Sequence, residues 1–251
     1  MGLLNSLAGM ATIAMVVFSH GTTAKNVSLE LLPTEPLPVI SPDAVCADWV
    51  AWVPPQLRPA VVMQAEAGYD VIMSDADALW LADPMKDFSL PGVVDSSIVA
   101  SRGKYPTAVG NLWGSTMCMG FILFRATANR AAMGEFVAAM NTLVLKRKDD
   151  QIAVNMAAQD FGIVWKQEGS DMRYELSTSF GMGFIDSLSD EDNRPFTVTL
   201  LPHSTYTRIC AHHPVSNTTV VAHCLTSKTP ASKLSWMQRM DLWSVDKEPG
   251  E

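Results

Sequence analysis

The chain has 251 residues, enough for one α/β unit with a sizeable apolar core. Hydrophobic residues at 48% against charged ones at 18% exclude a disordered polymer. A formal net charge of −8 disfavours a nucleic-acid partner and gives no polybasic patch for a membrane surface.

In chain order, the run Ala8–Phe18 is apolar enough for a signal segment, yet no Lys or Arg precedes it and Gly9 and Thr12 interrupt it. The preferred reading is helix Leu3–Met10 followed by strand Ile13–Ser19. A secretory signal or anchor is the alternative, so membrane association stays open. Six prolines between Asn26 and Pro55 suggest a long surface connection. Pro59 then opens a helix over Ala60–Ala67, which Gly68 closes.

Val71-Ile72-Met73 reads as a short buried strand, and two carboxylates, Asp75 and Asp77, follow it directly. Strand ends in an α/β sheet line the crevice where ligands bind. Two carboxylates this close repel one another unless a cation lies between them. Oxygen ligands with an incomplete coordination sphere suit Mg²⁺ or Mn²⁺ bridging to phosphates. Asp-x-Asp also arises in ordinary loops and helix caps. The apolar flanks, Val-Ile-Met before and Ala-Leu-Trp-Leu after, favour the metal reading.

Farther on, Ser97–Ser101 and Met119–Phe124 read as strands, with a polar, glycine-bearing loop over 102–114 between them. Thr127 is the expected N-cap of a helix running to about Leu145. Its Met133, Phe136, Val137, Met140 and Val144 recur at helical spacing and predict a core-facing stripe. Asp149-Asp150 caps a second helix, Gln151–Gln159. Gly162–Lys166, part of Phe180–Ile185, Thr197–Leu201 and Thr218–Ala222 complete the strands, and the last of them ends at His223. Ser189–Asn193 is acidic and exposed. Ser232 caps a final helix on which Trp236, Met240 and Trp243 share a face. Alternating strands and helices predict one α/β domain over 1–251 with a mostly parallel central sheet.

The four cysteines, Cys46, Cys118, Cys210 and Cys224, lack Cys-x-x-Cys spacing, which argues against zinc and thioredoxin-like sites. Whether Cys210 and Cys224 pair is open at this level. Asn26-Val-Ser and Asn217-Thr-Thr would accept glycans in a secretory compartment.

Four pieces stand in one order: Val71–Met85, Gly120-Phe-Ile-Leu-Phe-Arg-Ala-Thr127, Asp149-Asp-Gln151 with Asn155, and Val220-Val-Ala-His223 followed by Lys233. Over roughly Pro55–Trp243 the chain resembles the nucleotide-diphospho-sugar transferases of the plant rhamnogalacturonan xylosyltransferase type, Rossmann-like glycosyltransferases of the GT-A fold. The resemblance implies transfer of a sugar, with retention, from a nucleoside-diphosphate sugar to a hydroxyl of a glycan or glycoprotein. It implies the Golgi lumen or another secretory compartment as the address. Asp75 and Asp77 match the family's metal-holding Asp-x-Asp, and His223 matches a further metal ligand. The cofactor expected is Mn²⁺, or Mg²⁺, with imidazole favouring Mn²⁺. Donor contacts are expected at Asp75, Cys118, Gly120, Lys233 and, as an alternative to Lys233, Lys228. Asp150 and Gln151 are expected to face the transferred sugar or the acceptor as catalytic residues.

Departures are visible too. Cys118-Met-Gly120 stands where the family often has Asn-x-Gly, and Cys224-Leu225 replaces a small residue followed by Asn. Residues 1–50 match poorly, as an incomplete pocket or a signal or anchor would. An inactive sugar-nucleotide-binding protein on the same fold is the alternative from another class. A haloacid-dehalogenase-type phosphatase ranks lower, because no Gly-Asp-x-x-x-Asp follows anywhere.

Overall fold

The computed structural model describes residues 14–18 (as backbone pairing), 70–75, 77–166, 172–173, 177–189, 194–208, 210, 214–224 and 230–240. The expected helices Leu3–Met10 and Ala60–Ala67, the connection over 26–55, residues 190–193 and Lys228 lie outside them. Among the described residues no helix is long and apolar enough to cross a membrane.

The elements in chain order are β1 (Ala14–Phe18), β2 (Asp70–Ser74), β3 (Leu79–Trp80), α1 (Met85–Phe88), β4 (Ile98–Gly103), α2 (Thr107–Trp113) and β5 (Thr116–Arg125). They continue with α3 (Arg130–Arg147), α4 (Asp150–Asp160), β6 (Val164–Trp165), β7 (Gly181–Ile185), β8 (Phe196–Leu200), β9 (Tyr206–Thr207), β10 (Val221–Ala222) and α5 (Pro230–Arg239). Seven strands form the main sheet in the order β1-β2-β5-β4-β8-β7-β6, and β3-β10-β9 form a small second sheet.

The expected mostly parallel sheet is not what forms. In the main sheet every neighbouring pair is antiparallel except β4 with β8. The fold is therefore α/β with mixed, antiparallel-dominated sheets. The alternation of strands and helices misled the expectation, because apolar runs report that both faces of a sheet are covered, not which way neighbouring strands point. Here both faces are covered. Val71, Met73, Ile98, Ala100, Ile122 and Phe124 pack with the α3 and α4 residues Phe136, Val137 and Val154. Ile72, Val99, Phe121 and Leu123 pack on the opposite side with Phe88, Tyr206 and Val221. Nor does α2 act as a parallel crossover: this seven-residue helix joins β4 to its antiparallel neighbour β5.

Two helix starts also moved. α3 is capped by Asn129, whose side chain accepts from the Ala132 N–H at 3.1 Å. Thr127 is engaged elsewhere, donating its N–H (3.1 Å) and hydroxyl (2.8 Å) to Asp70 Oδ1. Arg125, nearly buried, reaches Asp70 at 3.6 Å and donates to Val93 O at 2.8 Å. This cluster closes one end of the β2–β5 pair. α5 begins at Pro230, so Ser232 lies inside its first turn instead of capping it.

The other end of β2–β5 is irregular. Ala100 pairs with Ile122, but the next β4 residue, Ser101, pairs with Cys118. Met119, Gly120 and Phe121 thus bulge out of the β4 ladder, as strands often do beside functional sites. Asn155 of α4 stabilises the strand just before the bulge. Its side chain accepts from Met117 N at 2.8 Å and donates to Met117 O at 2.9 Å.

Candidate metal centre

The small sheet explains why residues far apart in sequence meet. β10 runs parallel to β9 and antiparallel to β3, with Ala222 paired to both Thr207 and Leu79. The residues following β9 and β10, Arg208 and His223, therefore emerge at the same edge as Asp77-Ala78, which precede β3. His223 N–H donates to Thr207 O at 2.9 Å, continuing the ladder one residue further. The Asp75 turn is tied down separately: Asp75 N–H donates to Gly120 O and Ala78 N–H to Asp75 O, each at 3.0 Å. Trp80 Nε1 donates to Ser74 Oγ at 3.0 Å, and its ring meets Phe121 edge-on.

One ligand atom each from Asp75, Asp77 and His223 lies within 4.8 Å of the others. His223 Nε2 is 3.4 Å from Asp75 Oδ2 and 3.4 Å from Asp77 Oδ1. Two hard carboxylate oxygens and one imidazole nitrogen, with Asp75 open to solvent, form a donor set suited to a divalent cation. A positive charge already occupies this neighbourhood, since Lys233 of α5 pairs with Asp77 Oδ2.

The electrostatics follow from crowding. Burial works against ionisation of Asp77, but hydrogen bonds and charge from His223 and Lys233 outweigh it and hold the carboxyl far below its usual range. At His223 burial opposes a charge, while hydrogen bonds to Asp77 and Cys118 draw the pKa upward. Arg208 Nη1 lies 2.7 Å from His223 Nδ1 and 3.4 Å from Nε2, which places the guanidinium against the imidazole.

Gly120 supplies the space for the ring. A Cβ at this position would overlap the His223 imidazole and lie 2.9 Å from Asp75 Oδ2. Its role is thus clearance for the His223 ring. Cys118, fully buried, touches the His223 ring. Burial pushes its thiol up, but the Arg208 charge and the His223 hydrogen bond bring it below its ordinary value.

Asp149 caps α4, accepting from Ile152 N at 2.7 Å, which leaves Asp150 as the first helical residue. Gln151 Nε2 donates to Tyr105 O at 2.6 Å, which binds α4 to the chain beyond β4. Asp150 is pushed up to about 6 by burial and by the charge of Asp75, which places its carboxyl within the field of the cluster. A carboxyl raised in this way keeps its proton in the folded chain where the unfolded chain has lost it. Its stabilising effect is full below about pH 4 and is lost as the pH rises through about 6. Asp150→Asn is accordingly expected to stabilise the fold by about 1–2 kcal/mol at pH 7.5, and by nothing near pH 4. Urea titrations at the two pH values measure this, and equal effects at both would contradict it.

The cluster unites Asp75, Asp77, Gly120, His223 and Lys233 from the sequence expectations, and Asp150 shares its field. Arg208 was missed. The two-residue strand β9 is too short to show periodicity, and the only hint was Cys210 nearby. That cysteine is disulfide-bonded to Cys224, with Cα atoms 5.5 Å apart, which fastens the Arg208 segment to the His223 segment.

A family model described as nucleotide-diphospho-sugar transferase matches residues 58–233. The match spans all of these residues. No curated protein and no solved structure gave a significant match.

Proposed function

The chain belongs to the nucleotide-diphospho-sugar transferase family, and from that premise we propose that it transfers a sugar from a nucleoside-diphosphate donor to an acceptor hydroxyl. The observation carrying this reading is the convergence of Asp75, Asp77 and His223 beside two cationic side chains. Asp75, Asp77 and His223 hold the divalent cation, and the imidazole in that set favours Mn²⁺ over Mg²⁺. When bound, such a cation offsets the negative charge that develops on the leaving diphosphate.

The chain's own groups supply the rest. Lys233 exchanges its partner, Asp77, for a donor phosphate, acting as a point charge. Asp150, at the start of α4 and within reach of the Asp75 field, faces the acceptor side and orients its hydroxyl. Gln151 keeps that helix start fixed through its bond to Tyr105. Retention of configuration, a glycan or glycoprotein acceptor and a luminal address are parts of the same proposal and rest on the resemblance alone.

The test has two stages. Calorimetry with uridine and guanosine diphosphates, with and without Mn²⁺, is expected to show binding that requires the metal. A panel of sugar nucleotides is then expected to release nucleoside diphosphate from one of its members. Metal-dependent binding without release from any donor would favour the inactive sugar-nucleotide-binding reading. No binding at all would remove the proposal.

A further inference from the structure

We propose that Asn217 carries an N-linked glycan, attached at the end of the small sheet away from the candidate metal centre. Whether the chain transfers sugar does not bear on it. Only the luminal address is shared with that reading.

The acceptor triplet is Asn217-Thr218-Thr219, with no proline at Thr218 or at the following Val220. Asn217 and Thr218 form an exposed turn, while Thr219 is buried. Bonds among the neighbours hold this turn. Ser216 N–H donates to Thr219 Oγ1 at 2.9 Å, and Thr219 N–H donates to Ser216 O at 3.1 Å. Thr218 N–H donates to Ser216 Oγ at 3.3 Å. None of these bonds uses the Asn217 amide, so a bulky, hydrated substituent there displaces none of them. Such glycans are attached before the chain folds, so the later burial of Thr219 is no obstacle.

Strand register keeps the turn clear of the metal cluster. Ala222 pairs with Leu79, which brings the next residue, His223, to the edge where Asp77 emerges. At the other end of β10, Val220 O accepts from Leu81 N–H at 2.8 Å and from Ala82 N–H at 3.2 Å. β10 therefore runs from the Leu81–Ala82 end toward Asp77, and Asn217 lies before its start. A glycan there stands at the end of exposed Leu81 and leaves Asp75, Asp77 and His223 open.

A covalent feature supplies the second ground. Cys210 and Cys224, one on each side of the turn in sequence, are disulfide-bonded. Disulfides form and persist in oxidising compartments and are rare in the cytosol. This adds a physical ground to the resemblance for a secretory address, where the oligosaccharide donor is a lipid diphosphate. In the transfer the Asn217 amide nitrogen bonds to the anomeric carbon of the oligosaccharide. The bond from that carbon to the diphosphate breaks, the lipid diphosphate leaves, and the amide releases one proton.

One peptide reads both grounds. Cleavage after Arg208 and Lys228 releases residues 209–228, which include Cys210, Asn217 and Cys224. The full chain is isolated from its own cells, its free thiols are alkylated, and the digest is treated with peptide N-glycosidase in heavy-oxygen water. Mass spectrometry is expected to find Asn217 converted to aspartate bearing the heavy oxygen, with both cysteines unalkylated until reduced. Asn217→Gln expressed in the same cells is expected to lose one glycan's mass on a gel. Unlabelled Asn217 as the only form overturns the glycan. Alkylated cysteines with unlabelled Asn217 overturn the luminal address as well. Neither readout involves sugar transfer, so a failed donor screen and a missing glycan are separate results.

Discussion

Gly120→Ala is expected to lower Mn²⁺ affinity by about 100-fold or more, although no functional group is removed. The new methyl would occupy the volume of the His223 imidazole and press on Asp75 Oδ2. The backbone has little room to retreat. Gly120 O accepts from Asp75 N–H, and adjacent Phe121 is paired with Ser74 across β2–β5. The ring must therefore rotate out, taking Nε2 from the carboxylates. Overpacking of this kind costs about 1–3 kcal/mol of stability as well. Calorimetric Mn²⁺ titration together with thermal melting reads both effects. Wild-type metal affinity in a folded Gly120→Ala protein would show that His223 is not a ligand.

Asp77→Asn should give a metal loss of similar size by removing a charged ligand outright, about 100-fold or more. Its stability signature is different. A carboxylate whose pKa is depressed in the folded chain stabilises the fold above its unfolded pKa and loses that contribution as the pH falls below it. Asp77 is held far below the usual range, against the opposing effect of burial, by His223 and Lys233. The amide is therefore expected to cost about 1–2 kcal/mol at pH 7, a difference that shrinks steadily from pH 4 downward. Denaturant titrations across that range, paired with Mn²⁺ binding, separate the two roles. A large pH-independent destabilisation with intact metal binding would make Asp77 a structural residue.

How much of this was legible beforehand depended on the range of the interactions involved. Local ones were clear: the buried strand before Asp75, the stripe Met133–Val144, and the capping of α4 by Asp149. Thr127 shows where local rules stop. It is a good cap by type, but Asp70, distant in sequence, claims its hydroxyl and leaves α3 to Asn129. Strand direction was invisible for a related reason, since Ile98, Val99 and Ala100 are apolar whether their neighbour runs up or down. Within the site, Asp75 and Asp77 could be named from the buried strand before them, and His223 only through the family resemblance. Arg208 could not, because only the pairing of β9 with β10 brings it beside the imidazole.

The small sheet has one more consequence. Each of β3, β9 and β10 is two residues long, so few ladder bonds hold the edge where Asp77, Arg208 and His223 emerge. β5, by contrast, is ten residues long and buried throughout. Backbone amides of the small sheet would be expected to exchange with solvent through local opening, while those of β5 wait for global unfolding. The candidate metal centre is thereby placed on a layer held by few ladder bonds. The cross-link between Cys210 and Cys224 keeps that opening to a breathing motion, and an ion gripping two of the three strands would close it.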